Sequence, residues 1–316
     1  MLSFKRNNSG AVTPRASERG FVLISVLLVT AVLVAVVAEF AYNVYLSTAR
    51  AANFRDSQRA GILADKGVEL AGAAIEELLK AKPNLTIEQE GLVFVKTEED
   101  MTVSVRIVDE AGKVSLRTVY EKNGVENAAV HGEYSRLLKN LRVAGAKGLE
   151  DSLADWIDSD GEPRAYGGEA SDYYSTLPKP YAPANRYLES TDELLMVKDY
   201  TPEVFTKISP LVSPYNAAGL INLNTAPVEV LMTLSDEMTE RLARRIIEFR
   251  RDSPFKTVAD IMKVSGFEKL GFELQDKTTV TSDTFRIYSR AASGEITREA
   301  EAVYRLKTGF LYWREM

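Results

Sequence analysis

Six carboxylates lie within eighteen residues near the middle of the chain, where they could bind a metal ion. They are Asp155, Asp158, Asp160, Glu162, Glu169 and Asp172. Calcium binds six to eight oxygen ligands at about 2.3–2.6 Å, and glycines such as Gly161 allow a loop to wrap around the ion. The spacing does not fit the D-x-D-x-D-G-x5-E register of an EF-hand. On these residues alone, a solvated acidic turn is favoured over a calcium loop.

The composition excludes most other metal and nucleophile chemistry. The 316 residues contain no cysteine and a single histidine, His131. A disulfide, a thiolate metal site and a cysteine nucleophile are therefore impossible, and an HExxH zinc site needs a second histidine. The sequence also lacks the GxSxG, GxxxxGK[ST] and GxGxxG signatures of common enzyme classes. Because His131 has no neighbouring serine or cysteine nucleophile, we predict that the chain is not an enzyme.

An uncharged apolar run, residues 21–38, follows a basic amino-terminal segment. As a helix it would be about 27 Å long, close to the thickness of a bilayer hydrocarbon core. The residues before it include Lys5, Arg6, Arg15 and Arg19 against the single Glu18, and Glu39 follows it. The positive-inside rule therefore predicts a single-pass transmembrane helix with a cytoplasmic amino terminus and the rest of the chain outside.

The remainder of the chain predicts an α+β fold interrupted by a helical insertion. Apolar residues at three- and four-residue steps extend the first helix to residue 82, where Pro83 stops it. Alternating segments at 92–97, 101–109 and 112–120 predict a strand meander, and 284–293 and 296–308 predict two strands around Gly294. Helical patterns fill residues 131–277, where Thr225 is the predicted N-cap of a helix that has Pro227 in its first turn.

The junction SERGFVLISVLL at residues 17–28 resembles the processing site of type IV prepilins and type II secretion pseudopilins. The small residue Gly20 precedes the apolar run, whereas a secretory signal has its small residues after that run. The resemblance implies a leader of residues 1–20, cleavage by prepilin peptidase between Gly20 and Phe21, and methylation of the Phe21 amine. A plain uncleaved anchor is the alternative.

Ser25 departs from the pattern of these pilins, which usually have a glutamate five residues into the mature chain. That glutamate can neutralise the amine of a neighbouring subunit in the apolar filament core, where an unpaired amine costs several kcal/mol. A subunit with no subunit above it does not need this charge. Ser25 is therefore expected in a subunit at a filament tip.

Four further motifs, in the family's order, resemble the K-type minor pseudopilins of bacterial type II secretion systems. They are DEAGKVSL at 109–116, ADWIDSDGEPRAYGGEASDYY at 154–174, the N-x4-S-x2-E-L run from Asn185 to Leu194, and INLNTAPVEVL at 221–231. The resemblance implies a pilin-like α+β fold, with a long amino-terminal helix, an antiparallel sheet and a large inserted α-helical domain. The predicted divisions are the leader 1–20, the helix 21–82, a first pilin-like part 83–130, the insert 131–277 with helix-hairpin-helix or SAM-like repeats, and carboxyl-terminal strands 278–316.

The same resemblance implies a function, partners and a metal. The chain would form the tip of a periplasmic pseudopilus with minor pseudopilins I and J, initiate its assembly at the inner-membrane assembly platform, and support secretion across the outer membrane. It would reside in the bacterial inner membrane with its carboxyl-terminal domain in the periplasm. K-type pseudopilins bind calcium around the acidic loop, which implies the ligands Asp158, Asp160, Glu169 and Asp172, with Asp155 and Glu162 less favoured.

A second interpretation is a membrane-anchored DNA-binding protein of competence. INLNTAPVEVL, RRIIEFRR and PFKTVADI resemble the helix-hairpin-helix domains of such proteins, which bind phosphate through a glycine-rich hairpin. Here the hairpin Leu234–Met238 has two acids and no glycine, so it would repel phosphate. Acids interleave the arginines at 241–251, which favours a solvated helix face. The leader contributes +3 to the net charge of −6, so the mature chain would carry about −9 and nucleic-acid binding is disfavoured.

Overall fold

The computed structural model describes residues 16–84, 91–166 and 171–316, without the side chains of residues 16–19, 171 and 172. The chain forms two compact units, of which the first ends at Asp56 and the second comprises Ser57–Met316. The described part of the first unit is helical. The second unit contains an antiparallel sheet and a helical part, residues 110–283, each with its own cluster of buried apolar side chains.

The first helix, α1 (Ala16–Ala81), includes nearly all of the predicted 21–82 helix and ends before Pro83. Within the second unit its buried face consists mostly of small residues, including Ala60, Ala64 and Ala71. A Cβ atom at Gly67 would overlap with the hydroxyl of Ser289 on the sheet. The small residues therefore let the helix backbone lie directly against the sheet.

The strands within the described residues are, in chain order, β1 (Leu92–Glu98), β2 (Met101–Asp109), β3 (Val114–Ser115), β4 (Val212–Ser213), β5 (Ile221–Asn222), β6 (Thr278–Thr279), β7 (Thr284–Ser293), β8 (Ile296–Arg305) and β9 (Gly309–Glu315). Five of them form one antiparallel sheet in the order β1-β2-β7-β8-β9. The strands predicted at 92–97, 101–109 and 284–293 are confirmed, and 296–308 contains β8. The sequence reasoning missed β9.

The expected third strand of the meander, 112–120, does not join this sheet. Strand β2 already pairs with β1 on one side and β7 on the other. The segment instead contributes β3, which pairs in parallel with β4, and its Val114, Leu116 and Val119 are buried in the helical part. The chain thus leaves the sheet after Asp109 and returns at Thr284, so the helical part begins before His131.

The helices after α1 are, in chain order, α2 (Ala128–Asn140), α3 (Ala146–Ile157), α4 (Ser171–Ser175), α5 (Pro202–Ile208), α6 (Val228–Leu231), α7 (Glu240–Asp252) and α8 (Leu270–Glu273), with 3₁₀ turns at Thr191–Met196, Val258–Lys263 and Gln275–Lys277. The predicted N-cap at Thr225 is wrong, because Pro227 occupies that position of α6. The Thr225 hydroxyl donates instead to Asp109 at 2.6 Å, across the connection to the sheet.

The helical part lies at the carboxyl end of α1. The side-chain amide of Asn84, three residues beyond α1, donates to the carbonyls of Lys256 and Val280 at 3.4 and 3.5 Å. Strand β2 ends and β7 begins at this end of the sheet, since Asp109 is paired with Phe285. Within the second unit, the helical part therefore packs beside the carboxyl-terminal end of α1.

Candidate functional sites: the anchor, the acidic loop and the sheet–helix junction

The anchor is the first part of α1. From Gly20 onward, α1 is long and apolar enough to cross a membrane. Its large apolar side chains from Phe21 to Val37 are exposed within the described structure, as expected for a surface that contacts lipid. The Ser25 hydroxyl donates to the Phe21 carbonyl at 2.9 Å, so this polar group is satisfied inside the helix. Cleavage between Gly20 and Phe21 stays a prediction.

The acidic loop begins in the last turns of α3. Asp151, Asp155 and Asp158 follow one another at steps of three or four residues, and all three are buried. The carboxylate of Asp151 accepts the Tyr166 amide at 3.2 Å, and the carboxylate of Asp155 accepts the Arg164 amide at 3.2 Å. These two acids hold the returning chain against α3. Asp155 therefore has a structural role in shaping the loop.

Arg164 fastens the loop to a neighbouring turn, residues 120–126, which is closed by a bridge between Tyr120 and Glu126. Its guanidinium donates to the Gly124 carbonyl at 2.5 Å and lies 3.4 Å from the Glu126 carboxylate. The Ser159 amide donates to the Lys122 carbonyl at 3.2 Å. The turn and the loop are thus held together by both side-chain and backbone hydrogen bonds.

Gly124 brings two of the predicted calcium ligands together. It has φ +76°, and a Cβ atom built there would lie 3.0 Å from Oδ2 of Asp158, 3.4 Å from Oδ2 of Asp160 and 3.4 Å from Nη2 of Arg164. Both carboxylate oxygens and the Arg164 guanidinium therefore lie close to the same point above the glycine, and a side chain there would have to displace them. Asp158 is buried, whereas Asp160 is exposed. Oδ1 of Asp160 accepts a hydrogen bond from the Glu162 amide at 2.9 Å.

The other two predicted ligands cannot be placed beside this pair. Glu169 lies outside the described residues. The backbone of Asp172 belongs to α4, but the structure does not describe its side chain. Glu162 is exposed. Among residues 16–84, 91–166 and 171–316, no group of three or more acidic or histidine side chains is placed to hold a metal ion. Calcium binding stays a prediction that rests on the carboxylate pair.

A junction between sheet and helical part is centred on Asp109, the last residue of β2. The buried carboxylate accepts hydrogen bonds from Asn222 at 2.9 Å, Thr225 at 2.6 Å and Ser282 at 2.5 Å. Burial raises the pKa of Asp109, although these hydrogen bonds act in the opposite direction. The carboxylate oxygens of Asp109 therefore tie both chain crossings to the INLNTA segment.

Glu110 forms the charged half of the same junction. Burial opposes its ionisation, but Arg286 and Lys113 outweigh that effect and lower the pKa of Glu110 to about 2. Its Oε1 lies 2.9 Å from Nε of Arg286 on β7 and 2.7 Å from Nζ of Lys113. Arg286 also pairs with Glu301 on β8. The carboxylate therefore connects the helical part to two strands of the sheet.

Sequence reasoning missed this junction, although the residues lie in motifs that it selected. Asp109, Glu110 and Lys113 belong to DEAGKVSL, and Asn222 and Thr225 belong to INLNTAPVEVL. The available signal was a pair of acids directly after an alternating apolar strand, a position where buried carboxylates need partners. Those partners are more than a hundred residues away in the sequence.

The arginines required by the DNA-binding interpretation are largely engaged elsewhere. Arg250 is buried, and its guanidinium donates to the carbonyls of Leu223 and Ala226 at 2.9 and 2.8 Å. Arg244 pairs with Glu240 at 2.6 Å, and Arg245 donates to the Ser265 carbonyl at 2.8 Å. These arginines therefore serve the packing of α7 and do not form a surface free to bind DNA phosphates. The competence interpretation is not supported.

A long amino-terminal helix packed on an antiparallel sheet, with an apolar segment able to span a membrane, defines a pilin-like subunit; here it carries a large helical insertion. Sequence models described as type II secretion system protein K match residues 112–217 and 221–282. The chain belongs to the type II secretion system protein K family.

Individual relatives agree with this assignment. The chain is 28% identical over 260 residues to type II secretion system protein K of Pseudomonas aeruginosa, covering 79% of this chain and 77% of the relative. It is 26% identical over 227 residues to the Aeromonas hydrophila protein K, covering 67% and 68%. It also resembles a chain in the crystal structure of the GspK-GspI-GspJ complex from enterotoxigenic Escherichia coli. That match has a TM-score of 0.70 and 19% identity, and covers 84% of this chain and 99% of that chain.

Proposed function

We propose that this chain is a structural, non-enzymatic minor pseudopilin at the tip of a periplasmic pseudopilus, assembled with minor pseudopilins I and J. It initiates the filament at the inner-membrane assembly platform and supports protein secretion across the outer membrane. The observation that carries this proposal is the helical part at the carboxyl end of α1, fixed there through Asn84. A further subunit stacked at that end would meet the helical part, so the bulk suits a terminal position.

Two further observations support the tip position. The crystal structure of the GspK-GspI-GspJ complex from enterotoxigenic Escherichia coli contains a chain with the same fold. Ser25 bonds within its own helix and supplies no negative charge for a neighbouring amine. A repeating subunit would need that charge, whereas a terminal subunit does not.

Co-purification tests the assembly. The full chain, expressed with minor pseudopilins I and J of the same organism and solubilised in detergent, should elute with both as one complex. A major pseudopilin of that system serves as the control and should not replace I or J. Elution of this chain alone would contradict the proposal. Retention of duplex DNA at physiological salt would instead revive the competence interpretation.

The proposed processing places the amino terminus in the cytoplasm and the second unit in the periplasm. Prepilin peptidase would cut between Gly20 and Phe21, and the new amine would be methylated. A Cβ atom at Gly20 meets nothing within 4 Å, so Gly20→Val changes the cleavage site without a clash in the described structure. Mass spectrometry should find methylated Phe21 as the first residue of the wild type and of Gly61→Ala, but Met1 in Gly20→Val. An intact Met1 in the wild type, with active peptidase, contradicts cleavage.

Calcium is the proposed ligand of the acidic loop. Asp158 and Asp160 would hold it, together with Glu169 and Asp172, and the ion would supply a cross-link between the loop and α3. The fit rests on the two carboxylate oxygens that converge above Gly124 and on calcium's preference for oxygen ligands. Such a cross-link suits a periplasmic chain without cysteine.

The calcium proposal predicts a metal-dependent melting temperature. At a calcium concentration a hundred times Kd, mass action would raise Tm by about 5–10 °C over a chelator control. Asp160→Asn should abolish this rise, because it removes an exposed ligand charge without emptying the core. Glu248→Gln, an exposed glutamate on α7 outside the acidic loop, is the control and should keep it. Equal Tm values with calcium and with chelator in the wild type would refute the proposal.

A further inference from the structure

A groove of about 480 Å³ lies between the β8–β9 hairpin and the helical part. Four cationic side chains line it, namely Arg117, Lys122, Arg186 and Arg305, whereas its one acidic lining residue is Glu189. The tyrosines of the groove add flat apolar surface beside these charges. This composition contrasts with the acidic character of the whole chain, whose net charge is −6.

Three of the four cations have no carboxylate partner among the described residues. Arg117 lies over the Tyr187 ring at 4.8 Å, and Nζ of Lys122 lies 5.7 Å from the centre of the same ring. Arg305 donates to neutral acceptors, the hydroxyl of Thr284 at 2.9 Å and the carbonyl of Tyr215 at 3.0 Å. Only Arg186 pairs with acids, Glu193 at 3.2 Å and Glu189 at 3.6 Å.

The larger cavity of the second unit shows the opposite arrangement. It has about 700 Å³ and lies between the sheet and the helical part. Of its four cations, Lys113, Arg286 and Arg314 are each paired with an acid of the chain itself. The fourth, Arg106, lies over the Tyr288 ring at 4.4 Å. Most of the positive charge in the larger cavity is therefore neutralised internally, whereas most of that in the groove is available to a ligand.

We propose that the groove binds an acidic peptide segment of a protein partner. Carboxylates would pair with Arg117 and Lys122, which are exposed, and an apolar side chain between them would lie on Tyr187 and Tyr312. Arginine and tyrosine are enriched at the centres of protein interfaces, and their charge-assisted hydrogen bonds are stronger than neutral ones. The volume exceeds that of one small anion and is within the range of ligand-binding clefts. The inference goes beyond the proposed tip function and does not depend on assembly with I and J.

Binding of a defined peptide tests this proposal. The probe is a fluorescent, terminally blocked peptide of sequence EEFEE, titrated with the full chain in neutral detergent at low salt. The neutral peptide QQFQQ controls for apolar binding, and inorganic phosphate competes as a simple anion. We expect EEFEE to bind, QQFQQ to bind on the order of tenfold or more weakly, and salt to weaken the binding of EEFEE.

Matched variants locate the site. The double variant Arg117→Gln/Lys122→Gln should lose on the order of tenfold or more in affinity for EEFEE. The control Lys207→Gln/Lys269→Gln removes the same charge from exposed positions outside the groove and should bind as the wild type does. Arg117→Lys with intact Lys122 keeps the charge and should restore most of the affinity. Circular dichroism shows that each variant is folded.

Four results would overturn the proposal. They are no binding of EEFEE at millimolar peptide, equal binding of QQFQQ, full competition by phosphate at the concentration of peptide, and an equal loss of affinity in the two double variants. Loss of the I and J complex with retained peptide binding would count against the tip function alone. The two proposals therefore fail separately.

Discussion

Glu133 should make the second unit less stable as pH rises, and Glu133→Gln should remove that loss. The side chain is on α2, is 1% exposed, and its Oε2 has no hydrogen-bond partner within the described structure. The nearest cations are committed elsewhere, since Arg136 donates to the Thr233 carbonyl at 2.5 Å and Lys277 to the Leu234 carbonyl at 3.1 Å. Burial raises the pKa of Glu133 to about 8.

The magnitude follows from the difference between folded and unfolded pKa values. The unfolded carboxyl titrates near 4.5, so between pH 4.5 and 8 the folded state holds a proton that the unfolded state has released. Stability therefore falls by about 1.4 kcal/mol per pH unit across this window and is level outside it. From pH 5.5 to 8.5 the loss due to Glu133 is about 3 kcal/mol. Glutamine carries no titrating proton, so its variant lacks this component.

Urea unfolding of residues 57–316, the unit that contains both hydrophobic clusters, measures the effect through the fluorescence of buried Trp156. We expect Glu133→Gln to match the wild type near pH 5 and to exceed it by about 3 kcal/mol at pH 8.5. Glu248→Gln, an exposed glutamate on α7, should leave the wild-type pH dependence unchanged. A pH profile of Glu133→Gln parallel to that of the wild type would refute the reasoning.

The remaining predictions concern the junction and the helix–sheet contact, and the same urea titration checks them. Arg286→Ala leaves Glu110 and Glu301 buried without their shared cation, so it should lower the free energy of unfolding by about 3–5 kcal/mol. The control Arg290→Ala removes an exposed ion pair and should change the free energy of unfolding little. Since the pKa of Glu110 is about 2, its contribution to the free energy of unfolding is complete above pH 4.5 and is lost as pH falls toward 2. An equally steep loss of stability with falling pH in Arg286→Ala would contradict this. Gly67→Ala introduces overlap with Ser289 and should cost about 1–3 kcal/mol. The control Gly61→Ala, whose Cβ meets nothing within 4 Å, should raise the free energy of unfolding by up to about 1 kcal/mol. If both Gly67→Ala and Gly61→Ala were destabilised, the close packing of Gly67 on the sheet would not be the cause.

Local patterns in the sequence predicted what local physics decides. The apolar run and the three- and four-residue steps specify α1, and alternation specifies β1, β2 and β7, because successive side chains of a strand point to opposite faces. The same rule misplaced residues 112–120. Val114 and Leu116 alternate as in a strand of the sheet, yet they pack in the helical core. Which core a strand joins depends on its neighbours, which no local pattern contains.

The candidate sites show the same limit. The acidic residues were easily selected, but only the folded chain shows that Gly124, from a different turn, brings Asp158 and Asp160 together. Asp155 was selected as a weaker ligand, and its structural role became visible only through its hydrogen bond to the Arg164 amide. Long-range partners decide whether a carboxylate is a ligand or part of the scaffold.

The junction brings together two motifs that lie far apart in sequence, DEAGKVSL and INLNTAPVEVL. The helical part is joined to the sheet by two chain crossings, after Asp109 and before Thr284, and two crossings alone would permit rotation about their backbone dihedrals. The hydrogen bonds to Asp109 and the pairing of Glu110 with Arg286 oppose such rotation, because separating them would leave buried charge unpaired. A subunit with a bulky insertion needs that bulk to be held in a fixed orientation relative to the sheet. The buried polar residues of DEAGKVSL and INLNTAPVEVL supply it, at a position where apolar packing alone would allow sliding.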